Sequence, residues 1–184
     1  FILAIIYSNI INWGLSFFGM SNKGLKAVVI GGGIHGISSA IALARKGLNV
    51  SLLEKRSGLM EATSRATQNR AHLGYHYPRS HETAFECVRG LEFFKKKYGE
   101  SLFYVSEDYY LIEKHNSKTS FEEFKIFCDD VGLPYELKSP LKCFWNEKNI
   151  EGSFKVDEPV YNPDILKRLF EKELDELKVD VKTN

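Results

Sequence analysis

The residues best placed to do chemistry lie in the run Val28-Val29-Ile30-Gly31-Gly32-Gly33-Ile34-His35-Gly36, followed eighteen positions later by Glu54. Glycines at this spacing, between a β-branched run and a helical pattern, suit a phosphate cradle. Gly31 lets the chain turn tightly off a strand, Gly33 lets backbone approach a pyrophosphate, and Gly36 lets a helix pack closely on the strand. A helix beginning at Ile34 turns its free N–H groups and positive dipole end towards the phosphates. Glu54 closes a second strand, where a carboxylate can accept hydrogen bonds from ribose hydroxyls. The chemistry predicted is capture of the ADP part of a dinucleotide.

The surrounding pattern supplies the elements this chemistry needs. Ala40 and Leu43 share a helix face with Gly36, Gly47 stops that helix, and Val50-Ser51-Leu52-Leu53 forms the second strand. Residues 55–79 follow without sustained periodicity and are rich in Thr, Ser, Arg, His and Tyr, unlike a Gly/Ser/Pro linker. Ser80 begins a helix with Phe85, Val88, Leu91, Phe94 and Tyr98 on its apolar face, and Lys95, Lys96 and Lys97 on the solvated one. Residues 102–105 and 109–112 read as strands joined by Ser106-Glu107-Asp108. Thr119 or Ser120 caps a helix with Phe121, Phe124, Phe127 and Cys128 inside. Short strands are expected at 142–145, 152–156 and 160–161. Asn162-Pro163-Asp164 opens an amphipathic helix carrying Ile165, Leu166, Leu169, Phe170, Leu174 and Leu177, and Val179 starts another strand.

Composition bounds the rest. A hydrophobic share of 43% supports a packed core. Twenty-five basic against 24 acidic residues leave a net charge of +1, with no basic stripe to hold nucleic acid. Cys87, Cys128 and Cys143 are odd in number and widely spaced, which argues against a zinc site or disulfide framework and for a reducing cytoplasm. No metal site is expected. Residues 1–20 carry no charged side chain and could span a bilayer, with Lys23 and Lys26 keeping the following domain on the cytoplasmic side. Met20-Ser21-Asn22-Lys23 reads as a natural start, so the leader is expected to be upstream read-through, with a membrane anchor as the alternative. The expected location is cytoplasmic, with membrane contact open through residues 1–20.

With these motifs on the page, the chain resembles the D-amino-acid-oxidase-like family of FAD-dependent oxidoreductases, which includes glycine and sarcosine oxidases, glycerol-3-phosphate dehydrogenase and L-2-hydroxyglutarate oxidase. Thr63-Ser64-Arg65 is similar to the Ser/Thr-Ser-Arg of the glycerol-3-phosphate dehydrogenase group. His72-Leu73-Gly74-Tyr75-His76-Tyr77 is similar to an H-x-G-x-x-Y stretch shared by that group and the L-2-hydroxyglutarate enzymes. The resemblance implies an α/β chain, a Rossmann-like FAD-binding domain with a partial α+β substrate domain. Its expected divisions are a leader at 1–20, FAD-binding residues 21–100, a substrate or insertion domain at 101–178, and a returning strand at 179–184. Family members are longer, so the chain is expected to be an N-terminal fragment, inactive alone.

The resemblance also implies roles. Gly31, Gly33, Ile34, Gly36, Glu54, Lys55, Thr63, Ser64, Arg65, Asn69 and Gly74 are expected to contact FAD. The implied reaction takes a hydride from a CH–NH or CH–OH carbon of a small molecule to the flavin, with oxygen or a quinone as electron acceptor. His72 and His76 are the catalytic candidates, since an imidazole can donate to flavin carbonyls or take a substrate proton. Arg65 and Arg70 could hold phosphate or a substrate carboxylate, or form surface salt bridges. An NAD(P)-dependent dehydrogenase would share Gly31, Gly33, Gly36 and Glu54. A non-catalytic dinucleotide-binding module is the third reading.

Overall fold

The computed structural model describes residues 25–140 and 146–184. The apolar leader and the strand expected at 142–145 lie outside them. The chain forms two compact units, one of residues up to Asn69 with Pro163–Asn184, the other Arg70–Asn162. These boundaries differ from those expected at 100/101 and 178/179, because the helix after Ser80 packs within the second unit and the helix after Asn162 within the first.

The first unit is a three-stranded parallel sheet in the order β1 (Lys26–Ile30), β2 (Asn49–Leu53), β8 (Asp180–Lys182). β1 runs in register with β2 from Lys26 opposite Asn49 to Ile30 opposite Leu53, and β8 joins the far side of β2. The strand expected from Val179 thus joins this parallel sheet. Helix α1 (Ile34–Arg45) makes the crossover and buries Ile37, Ala40 and Ile41. It also packs on α5 (Pro163–Glu176), whose Leu166, Phe170 and Leu174 are buried at the helical spacing read from sequence. Arg45 and Glu173 join the two helices at 2.6 Å.

The composition of Val28-Val29-Ile30 suits a buried strand, but β1 is buried on one face only. Val29 is 1% exposed, but Val28 and Ile30 are 62% and 75% exposed. Successive side chains point to opposite faces of a pleated strand, and α1 covers one face.

In the second unit, β4 (Tyr109–Glu113), β5 (Tyr135–Leu137) and β6 (Ile150–Val156) form an antiparallel sheet with β6 central. β3 (Leu102–Phe103) and β7 (Val160–Tyr161) pair separately. The strands on either side of Ser106-Glu107-Asp108 therefore do not pair with each other. α4 (Phe121–Val131) starts with a reciprocal cap between Ser120 and Glu123. Its Phe124, Phe127, Cys128 and Val131 join Tyr75, Ala84, Ile112, Phe154 and Val156 in the core. α3 (His81–Tyr98) is capped by Ser80 and buries Ala84, Leu91 and Tyr98, whereas Phe85 is exposed. Between β2 and α3, the polar segment contains one short helix, α2 (Thr63–Ala66). No helix among the described residues is long and apolar enough to cross a membrane.

Candidate functional site

In the first unit the glycine turn is built from backbone. Gly31 sits at φ +108°, and its N–H donates to the Leu53 carbonyl at 2.8 Å, joining the turn to the end of β2. A Cβ on Gly36 would lie 1.8 Å from the Gly31 carbonyl oxygen, so no other residue fits without moving the helix off the turn. Gly33 caps α1 in ordinary extended geometry and has no side chain of its own to cap it; Ser64 takes the Ile34 N–H, and the remaining first-turn N–H groups are available to an anion. The chain beyond β2 folds under the turn. Met60 N–H donates to the Gly32 carbonyl at 2.8 Å, and Met60 and Leu59 are buried there. Sequence reasoning missed these two anchors, because the segment shows no periodicity to flag them.

Glu54 stands at the end of β2 as expected. Its Oε2 accepts from Gly32 N–H at 2.5 Å and its Oε1 from Arg56 N–H at 2.9 Å. Burial opposes its charge, but backbone N–H groups of Gly32, Arg56 and Lys55 outweigh that and lower its pKa. The carboxylate is thus ionised beside the turn and fastened to it.

Several expected cofactor residues have structural partners here. Ser64 Oγ accepts from Ile34 N–H at 3.2 Å, holding α2 to the first turn of α1. Thr63 and Lys55 are exposed. Arg65 pairs with Asp164 at 2.5 Å on the surface, the salt-bridge alternative of its two readings. Asn69 takes a left-handed φ of 55°, with its N–H donating to Thr67 Oγ1 at 3.3 Å.

The second unit carries Gly74 and both histidines. Gly74, at φ +121°, lies under α3, where a Cβ would come within 3.1 Å of the Ala84 carbonyl oxygen. The following Tyr75 is fully buried and its hydroxyl donates to the Pro134 carbonyl. Those two contacts fix the loop that presents His72 and His76, whose rings lie 5.1 Å apart.

Beneath them is a buried charge cluster. The Arg70 guanidinium donates to Asp108 at 2.6 Å and to Glu158 at 3.0 Å, and lies over the Tyr110 ring. Neither ligand binding nor a surface salt bridge describes Arg70: its carboxylate partners are 5% and 0% exposed. Glu158 also accepts from Leu73 N–H at 2.8 Å and from the Tyr110 hydroxyl at 3.0 Å. His72 Nδ1 stands 3.6 Å from Glu158, too far for a hydrogen bond. Burial would raise the Glu158 pKa, but the His72 ring, Leu73 N–H, Arg70 and Tyr110 outweigh it and hold it at about 2. Asp108 is pushed up by burial against the pull of Arg70. Asp108 and Tyr110 come from the start of β4 and Glu158 from the stretch before β7, and no spacing in the sequence joins them to Arg70.

The turn fits the ADP half of an FAD: it offers helix-start N–H groups for phosphate, a clamp at Gly36 that only hydrogen satisfies, and an ionised carboxylate at the strand end for ribose. Comparison with known proteins agrees. The chain is 28% identical over 156 residues to the FAD-dependent monooxygenase kojA of Aspergillus flavus, covering 82% of this chain and 36% of that protein. It therefore spans about a third of the length of that curated relative. Among solved structures, it is similar to the FAD-bound L-alpha-glycerophosphate oxidase of Mycoplasma pneumoniae, with a TM-score of 0.65, 19% identity, and coverage of 86% of this chain and 44% of that one. It is also similar to the L-proline dehydrogenase of P. horikoshii, with a TM-score of 0.59, 20% identity, and coverage of 89% and 45%. The structural likenesses establish the fold. The model of the FAD dependent oxidoreductase family matches residues 26–184, and the chain belongs to that family, DAO, whose cofactor is FAD.

Proposed function

We propose that the protein oxidises a CH–NH or CH–OH carbon of a small molecule, with the glycine turn of the first unit holding the ADP half of FAD. One observation carries this reading: Gly36 is clamped against Gly31 while Gly33 puts no side chain over the start of α1, an arrangement suited to a pyrophosphate. Gly31, Gly33 and Ile34 contribute backbone to that site, and Glu54 orders the turn and accepts from ribose. Thr63, Ser64 and Lys55 border it.

When bound, FAD supplies the hydride-accepting ring. His76 is the group that takes the proton from the substrate nitrogen or oxygen, because its ring is exposed and hydrogen-bonded through one nitrogen. His72, set over the Glu158 carboxylate, holds the loop in place. An amino or hydroxy compound is the substrate class suggested by the named activities of the structural relatives, with oxygen or a quinone as acceptor. The proposed compartment is the cytoplasm.

The test is FAD titration of the full-length protein beside its Gly33→Val variant. Gly33 has ordinary φ and ψ, so the backbone tolerates a side chain, whose Cβ would press on Ser64 Oγ at 3.2 Å beside the proposed phosphate site. Loss of FAD from a folded variant is expected; equal affinity would move the cofactor elsewhere.

A further inference from the structure

A chain of hydrogen bonds runs from the exposed His76 ring to the buried carboxylate. His76 Nδ1 lies 3.0 Å from the Tyr110 hydroxyl, and that hydroxyl lies 3.0 Å from Glu158 Oε2. Protons along it can be counted. Glu158 is ionised, so it only accepts. Arg70, on the same carboxylate, only donates. A phenol has one proton, and burial followed by the charge of Glu158 pushes the Tyr110 pKa far above its usual value, so that proton stays on. It is donated to Glu158. The Tyr110 oxygen can then only accept from His76, and Nδ1 must be the donor. The other nitrogen, Nε2, is left with its lone pair.

We propose that Glu158 is a positioning residue that, acting through Tyr110, fixes His76 in the tautomer protonated on Nδ1 and so presents Nε2 as a proton acceptor. This rests on the reading of His76 as the base. It also gives the acid a function beyond neutralising Arg70. A lone carboxylate could pair with Arg70, but the tyrosine between Glu158 and His76 sets the direction of the hydrogen bonds. The neutral imidazole ring in water otherwise favours the proton on Nε2, the arrangement that would leave the outward nitrogen unable to accept.

The tautomer is read directly by long-range proton–nitrogen NMR of the full-length, FAD-loaded protein labelled with 15N-histidine, with His76→Gln identifying the resonance. The expected result is that the single proton of the neutral His76 ring sits on Nδ1. Tyr110→Phe keeps the ring packing and should lose that signature, moving the proton to Nε2. Glu158→Gln, if it folds, should give a mixture of tautomers. A wild-type proton on Nε2, or an Nδ1 proton unchanged in Tyr110→Phe, overturns the proposal. The parent reading is judged separately by flavin reduction in His76→Gln: an unchanged rate removes His76 as base whatever its tautomer.

Discussion

The glycine turn and the Arg70–Glu158 cluster hold charge in opposite ways. The turn uses backbone: N–H groups at a helix start, a carbonyl that excludes any Cβ, and one acid fastened by two amides. The cluster uses side chains from three separated stretches, with the Arg70 charge answered by two buried carboxylates. The first is a local device whose parts must be near in sequence. The second exists only once the fold has brought its parts together. A change in the turn should therefore remove a ligand or break one crossover, whereas a change in the cluster should destabilise a whole unit.

The largest effect is expected at Gly36. Gly36→Val places carbon against the Gly31 carbonyl and should cost about 3 kcal/mol or more through forced repacking, seen as a lowered melting transition with FAD absent. Retention of both would separate the clamp from the fold.

Glu158→Ala comes next. It leaves Arg70, the Tyr110 hydroxyl and Leu73 N–H without their shared acceptor and should cost about 3–5 kcal/mol in denaturant unfolding. Arg65→Ala, which breaks an exposed pair, should leave the unfolding midpoint where it was. Similar losses from both would erase the distinction between buried and surface ion pairs.

His76→Ala should slow flavin reduction by on the order of 10²-fold while FAD affinity holds. His72→Ala should do the reverse, loosening the loop and FAD more than the chemical step. Stopped-flow reduction alongside FAD titration measures both.

Acid should act through Glu158. Its folded pKa of about 2 lies below the ordinary 4.5, so its stabilisation is complete above 4.5 and is lost as pH falls through the folded value. Between 4.5 and about pH 3 the loss should be roughly 1–2 kcal/mol. Asp108, with its pKa raised, acts with opposite sign. The Glu158 contribution is therefore the difference between wild type and Glu158→Gln across that range, and equal pH slopes would contradict it.

Legibility followed the same division. The turn, α1, β2 and the returning β8 could be read because a strand, a glycine spacing and a helix period are local properties of the chain. The caps at Ser80 and Ser120 and the buried face of α5 were legible for the same reason. Pairing partners were not: β3 and β4 are neighbours in sequence, yet they pair with β7 and β6. Gly74 and Tyr75 looked like parts of a ligand-binding motif, and their demands come from Ala84 and Pro134. Glu158 offered no signal, since an acid between two short strands is ordinarily a solvated turn.

A small effect on binding is expected from Glu54→Gln, which keeps an acceptor for Gly32 N–H but loses the charge and the acceptor for Arg56 N–H. FAD affinity should fall less than tenfold, equivalent to less than about 1.4 kcal/mol.

The central claim, that the turn of the first unit binds FAD through its backbone, is tested most directly by FAD titration of the full-length wild type and Gly33→Val, with circular dichroism on each. The account predicts stoichiometric flavin in the wild type, none in the variant, and superimposable spectra. Stoichiometric flavin in a folded Gly33→Val protein would contradict it.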